Sequence, residues 1–438
     1  MSDTDAHTIA YVRGTMLPAQ PAPVAEAGAV KWLRENLFSG PLNTVLTVLG
    51  VMTVYFLFTH FYPWFRHGVW NANSIAECRS IIAAEFGEGA TGACWAVIRE
   101  RWHQFIFGFY PPALYWRPIL SFVLLLVAIA PVLFTSLPRA MLKFSIAYPL
   151  VAIWLLWGGS AWTEIMIAAG FALGYLSWMV LGPRNAIIGA VVAALAPVLF
   201  WIFAAGPLED ILVGIVPLSI TPIASDRFGG FLLAVTIGVG GIVMSLPLGI
   251  ILALGRQSDM ILVKSLSVGF IEFIRGVPLI TLLFVASQLL NYFLPPGTQF
   301  DIILRVMILV TLFAAAYIAE VIRGGLAALP RGQYEAADAL GLDYWKAQRL
   351  IILPQALKIS IPGIVSTFIG MFKDTTLVTF VGLYEPLKSI PDFIRADFAW
   401  KGTYWEYFVF VGAIFFLINF SMSRYANYLE TKLKRDHR

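Results

Sequence analysis

An all-α polytopic membrane protein is the fold class this sequence predicts, and three observations predict it. Of 438 residues, 59% are hydrophobic and only 13% are charged, against roughly 25% charged in a soluble domain. The mean hydropathy is +0.78. The apolar residues also fall in repeated runs, many near the ~20 residues a helix needs to cross lipid. The net charge of +4 is small, and in a membrane chain its sign reports topology. With no basic groove or stacking platform, nucleic acid is excluded as a partner.

The elements follow in order. Residues 1–41 are polar and Pro-rich ("PAQPAPVAEAG"). No apolar core follows the start, so a disordered cytoplasmic tail is expected rather than a cleaved export signal. Ten spans are then expected, at 42–62, 118–134, 144–157, 163–181, 186–205, 228–254, 277–294, 302–321, 361–381 and 407–423. An even count places both termini on one side. Lys and Arg choose that side: Arg139, Lys143, Arg184, Arg256 and Lys264 share it with the basic tail 430–438, so it is the cytoplasm. The loop 63–117 carries Arg66, Arg79, Arg99, Arg101 and Arg117 on the opposite side, but long loops translocate largely regardless of charge. Cys78 and Cys94 are the only cysteines and both lie in that loop. Facing an oxidising compartment, they are expected to form a disulfide contributing roughly 3 kcal/mol to loop order.

The chain divides near 222. An extension of about five spans (42–222) precedes a five-span core (223–429), with no convincing repeat between the halves, which weighs against folds built from two matching bundles. Inside the core lies one long charged stretch, "EAADALGLDYWKAQRLIILP", residues 335–354, within a cytoplasmic loop 330–358. Residues 333–340 read as a short Ala-rich helix. Gly341 suits the left-handed position after its end. Asp343 suits the cap of a second helix, 344–353, which Pro354 interrupts. Ala336, Ala337 and Ala339 leave one face low. The physical reading is a bent docking finger.

These residues resemble the cytoplasmic loop of ABC-importer permeases, which reads E-A-A, three residues, G, nine residues, I-x-L-P. Here Glu335, Ala336, Ala337, Gly341, Ile351, Leu353 and Pro354 match it at every position. "FIEFIRGVPLITLLF", "AAAYIAEVIRGGL" and "MFKDTTLV" are similar to further segments of the polar amino-acid permeases, so the likeness covers about 228–428. The extension and its Cys-bearing loop resemble the longer permease of the general L-amino-acid importers of Gram-negative bacteria. The resemblance implies a type I permease core in the inner membrane. It also implies a second permease subunit, a different chain given the extension, two cytoplasmic ATPase subunits or domains, and a periplasmic amino-acid-binding protein. The E-A-A helix would insert into the ATPase. ATP and Mg would sit on that partner, and no cofactor on this chain. No G-x-x-x-x-G-K-[ST] occurs here.

Other polar residues are weighed on position. Lys373 lies about 18 Å along a span starting at 361, near mid-bilayer. An ion there is a functional hypothesis, and Lys373 and Asp374 match the carboxylate and ammonium of an amino acid, with Thr375 and Thr376 adding hydroxyls. A structural pairing, or a break in the span, is the equal alternative. Glu272 with Arg275, and Glu320 with Arg323, sit three apart and read as structural ion pairs. Gln288 and Asn291 are further path candidates. His7, His60, His67, His103 and His437 form no cluster with the cysteines, so no metal site or catalytic triad is expected. The alternatives are an ion-coupled secondary transporter, which would need a dedicated intramembrane carboxylate, and a structural subunit of a larger complex, which leaves the motifs unexplained.

Overall fold

The computed structural model describes residues 28–134, 136–293 and 300–435. Lipid offers no partners to backbone amides, so apolar runs satisfy them internally as helix. Among the described residues nine helical runs are long and apolar enough to cross a membrane, or ten if one bent pair counts as a span.

The chain forms two compact units, 1–69 with 79–93, and 70–78 with 94–438. The division expected near 222 therefore falls inside the second unit. In the first unit α1 (Gly28–Asn36) precedes α2 (Pro41–Arg66). None of the α2 residues is buried. At 26 residues it extends about 39 Å, enough for a bilayer with some tilt. Beyond it the Val69 amide donates to the Ala93 carbonyl at 2.9 Å, and the Ala93 amide to that of Trp64 at 2.8 Å. Helix α3 (Ile75–Phe86) runs from one unit into the other.

The second unit continues with α4 (Ala96–Phe107), α5 (Trp116–Leu133), α6 (Leu142–Trp157), α7 (Ala161–Leu181), α8 (Ala186–Leu199) and α9 (Ala205–Ile215). A two-residue antiparallel pair, β1 (Gly159–Ser160) with β2 (Ser219–Ile220), ties the α6–α7 connection to the chain after α9. Glycines set the α7–α8 crossing: a Cβ on Gly174 would meet the Ala193 carbonyl at 2.8 Å, and one on Gly189 would meet Gly182 at 2.6 Å. Small residues let helices approach where lipid supplies no hydrophobic drive between them. A π-helical turn, Phe200–Ala204, follows Pro197 and carries this span on to Ile215, past the expected end at 205. Such a turn absorbs the missing proline amide without ending the helix.

The remaining helices are α10 (Gly230–Gln257), α11 (Ile261–Gly276), α12 (Leu279–Phe293), α13 (Ile302–Ala327), α14 (Arg331–Ala339), α15 (Tyr344–Ala347), α16 (Leu353–Asp374), α17 (Pro386–Ala396) and α18 (Tyr404–Arg435). Helix α10 packs along α13, with Gly240 against Met307, Gly241 against Val310 and Gly249 against Ile318. Two apolar clusters form the core. One holds Leu233, Ile237, Val306, Val310, Met371 and Val378. The other holds Ala253, Ile271, Ile318, Ile322, Ile352 and Ala356.

Two expectations need correction here. The seventh span, expected as 277–294, is the second half of a bent pair: α11 meets the start of α12 at 102°. Val277 is extended (φ −114°, ψ 134°) before Pro278, as a pre-proline residue prefers, and the bend follows. Likewise Pro354 does not end the helix of the charged stretch. A π-helical turn, Gln348–Ile352, precedes it, and the helical run continues from Tyr344 to Val381. The ninth span therefore begins well before 361.

Three arginines of the 63–117 loop have partners among the described residues. Arg101 pairs with Asp397, and Arg99 donates to Asn71 at 2.8 Å. Arg117 is buried and donates to the Thr221 carbonyl at 2.7 Å. Cys78 and Cys94 form a disulfide. The Cys94 amide donates to buried Glu406 at 2.8 Å, and Phe105 packs edge-on to Phe393 and against Tyr407. Helix α4 thereby lies on α10, α17 and α18.

Candidate functional site

The E-A-A loop grows from α13 and α16. Pro330, with φ fixed near −60°, opens α14. At its end the Leu342 amide donates to the Ala337 carbonyl at 3.2 Å, and the Gly341 amide to that of Asp338 at 2.9 Å. This six-to-one and five-to-two pair places Gly341 at φ +68°, the left-handed cap geometry that glycine reaches without Cβ penalty. Asp343 then caps α15: its Oδ1 accepts from the Lys346 amide at 2.9 Å, and its Oδ2 pairs with Lys346 Nζ at 2.9 Å. The amide bond from Lys346, followed by its ammonium, holds the Asp343 carboxyl below its ordinary range. A side-chain bond from Gln355 to Gln333 at 2.9 Å ties the two arms together.

The pattern residues separate into two sets. Glu335, Ala336, Gly341 and Pro354 are exposed. Ala337 is buried, and Ile351 and Leu353 rest on the second core cluster. Leu340, Trp345 and Leu350 add exposed apolar surface, each at least 63% exposed. A cleft of about 340 Å³ opens beside them, lined by Gln257, Tyr334, Asp338, Tyr344 and Gln348. Gln348 is buried and its Oε1 has no hydrogen-bond partner among the described residues. The stems cross closely: a Cβ on Gly325 would meet the Ala356 carbonyl at 2.6 Å, and Ser360 Oγ donates to the Val321 carbonyl at 3.2 Å. A bent finger with an exposed acidic residue and an apolar tip stands on two helices packed backbone to backbone.

Just inside that end, five charged side chains from three helices meet. Arg256 Nη1 of α10 donates to Glu272 Oε1 of α11 at 2.8 Å and faces Glu320 Oε1 of α13 at 2.8 Å. The contact to Glu320 is an ion pair without the alignment of a hydrogen bond. Arg275 Nη1 lies 3.5 Å from Glu320 Oε2, and Arg323 Nε donates to the same oxygen at 3.0 Å. Glu320 and Arg323 thus pair within one helix. Glu272 and Arg275 do not pair with each other but reach other helices. Arg256 had registered in the sequence only as a loop cation, since its proximity to Glu320 is purely tertiary.

Lys373 and Asp374 close α16, and the chain tightens into a 3-10 turn, Thr375–Val381. Lys373 is exposed and Asp374 half-buried, and neither makes an ion pair among the described residues. Thr375 is buried and its hydroxyl donates to the Phe372 carbonyl at 2.7 Å; the Thr376 hydroxyl donates to that of Lys373 at 2.9 Å. Both hydroxyl protons are therefore committed to the helix end. Ser366 is exposed and Gly370 open on the same helix. The side chains of Gln288 and Asn291 lie outside the described residues. Among the described residues no group of His, Cys, Asp or Glu is placed to hold a metal ion.

Comparison with known proteins places this arrangement. The family model described as the inner membrane component of binding-protein-dependent transport systems matches residues 245–435. The chain is 66% identical over 443 residues, all of both chains, to the glutamate/glutamine/aspartate/asparagine transport system permease protein BztC of Rhodobacter capsulatus. It is 38% identical over 419 residues, 95% of this chain and 96% of the other, to the inner membrane amino-acid ABC transporter permease protein YhdY of Escherichia coli. The glutamate/aspartate import permease protein GltK of Escherichia coli matches at 30% over 49% of this chain and 96% of its own. A solved amino acid ABC transporter is similar at 27% identity and TM-score 0.41, covering 46% of this chain and 91% of that one. The chain belongs to the permease subunits of amino-acid ABC transporters and not to the ion-coupled secondary transporters.

Proposed function

We propose that this permease carries acidic amino acids and their amides from periplasm to cytoplasm. The observation that carries the proposal is the 66% identity, over the full length, to a permease named for glutamate, glutamine, aspartate and asparagine. In this reading the chain lies in the inner membrane with both termini in the cytoplasm and the 63–117 loop outside. It pairs with a second permease of different sequence, receives substrate from a periplasmic binding protein, and is driven by two ATPase subunits that bind ATP and Mg. Glu335, Ala336 and Gly341 present the finger to the ATPase; Ala337, Ile351, Leu353 and Pro354 hold its shape. ATP shifts the permease between outward- and inward-open states only through a differential affinity for the two, and the finger is where that bias enters.

Lys373 is the cation proposed to meet the substrate's acidic group. It is exposed at the end of α16 beside open Gly370 and free of an ion pair among the described residues. Asp374 is the proposed counterpart for the ammonium. Thr375 and Thr376 are assigned a structural part, because their hydroxyls bond the backbone. The test is uptake of labelled glutamate by the purified transporter in proteoliposomes. Unlabelled aspartate, glutamine and asparagine are expected to compete, and leucine and arginine not. Lys373→Met is expected to raise KM for glutamate about tenfold, ~1.4 kcal/mol of binding. Competition by leucine equal to that by aspartate contradicts the substrate class, and an unchanged KM contradicts the role of Lys373.

A further inference from the structure

We infer that Glu320 is a positioning residue that carries movement of the E-A-A finger to the bent α11–α12 pair. The inference rests on the reading of the finger as the ATPase contact. Four observations support it. Glu320 lies on α13, the helix that leads directly into the finger, and only five residues before Gly325. Gly325 sits against the Ala356 carbonyl, so the end of α13 and the start of α16 move together. One carboxylate, Glu320, faces three guanidiniums from three helices, those of Arg256, Arg275 and Arg323. And α11 has only Ile271 and Ile274 buried, both at the end that carries Glu272 and Arg275, while Ile261, Leu262, Leu266 and Phe273 are exposed.

The charge balance makes Glu320 decisive. Three arginines meet two glutamates. Remove the Glu320 charge and three cations share the single carboxylate of Glu272, which contacts only Arg256. Arg275 then has no anion on α13, and α11 loses its ionic tie to the helix that the finger moves. The bend at Val277 and Pro278 is the hinge where α11 turns relative to α12. Glu320 is the least exposed of the five, and like charges left facing one another around it repel. A finger that still grips its ATPase would then spend ATP without turning the pair.

The experiment uses the full transporter with its ATPase, second permease and binding protein in proteoliposomes. ATP hydrolysis and labelled glutamate uptake are measured together. Glu320→Gln is expected to retain binding-protein-stimulated hydrolysis within twofold while uptake per ATP falls at least tenfold. Glu320→Asp is expected to restore at least half of that ratio, and Arg275→Gln combined with Glu320→Gln to lower it no further than Glu320→Gln alone. A wild-type ratio in Glu320→Gln overturns the inference. So does a loss of hydrolysis and uptake in equal proportion, which a merely structural role would give. Gly341→Val, run alongside, reads the finger separately. Wild-type hydrolysis and uptake in that variant overturn the finger reading, whereas a defective Gly341→Val beside a normal Glu320→Gln overturns the role of Glu320 alone.

Discussion

Glu385 caps α17 from a fully buried position: its carboxylate accepts from the Leu387 amide at 2.8 Å and the Lys388 amide at 2.6 Å. Burial outweighs those two amides and pushes its pKa up from 4.5 to about 6. A carboxyl whose folded pKa exceeds its unfolded value holds its proton more tightly when folded. Its contribution is full below about 4.5 and is lost as pH rises through about 6, an effect of roughly 2 kcal/mol. Thermal unfolding in detergent is therefore expected to show lower stability at pH 7 than at pH 5, and Glu385→Gln is expected to flatten that dependence. An unchanged pH dependence in the variant contradicts the assignment. At Gly341 the constraint is of another kind. No atom lies within 4 Å of where a Cβ would stand, so a side chain there meets backbone strain alone, ~1–2 kcal/mol at φ +68°. That glycine and the Asp343 cap were legible from local chemistry, because turn and cap rules act within a few residues. Arg256 and Gln348 were not, since their surroundings come from helices far apart in sequence.

Among the elements, apolar run length located the spans, as it does wherever lipid leaves a backbone no partner but itself. Two features escaped that reasoning, and a third, the break in the 361–381 run, had stood only as one of two alternatives. Helix α11 carries Lys264, Glu272 and Arg275, which made it look like a loop, yet Lys264 stands in its first turn, Glu272 and Arg275 toward its last, and no charge falls in the turns between. Pro354 looked like a stop, but the π-turn before it lets the helix run on from Tyr344. The run at 361–381 changes from α-helix to 3-10 at Thr375, so Lys373 sits in the last helical turn, where a cation meets the negative end of the helix dipole. The bridge in the 63–117 loop has its own prediction. Cys78 and Cys94 are 16 residues apart, a closure contributing roughly 3 kcal/mol, and the Cys94 amide is held by Glu406. Replacing both with serine is expected to lower the unfolding temperature in detergent by several degrees. Two thiols that titrate in the purified protein without reductant contradict the bridge.

At the scale of the molecule, the core followed from motif spacing, while the place of the extension did not. BztC and YhdY match this chain over 100% and 95% of its length, so they share the extension. GltK spends 96% of its own length on half of this chain, leaving no counterpart for the rest. Helix α4 of the extension packs on α10, α17 and α18 of the core, while β1 and β2 pair within the extension itself. The α4 contacts join residues more than a hundred apart, and no periodicity announces them. The most direct test of the whole account is glutamate accumulation by proteoliposomes holding this chain, its second permease and binding protein, with either an active ATPase or one unable to hydrolyse ATP. The account predicts accumulation against a gradient with the active ATPase and none with the inactive one. Accumulation by this chain without the ATPase, under a proton or sodium gradient, contradicts it.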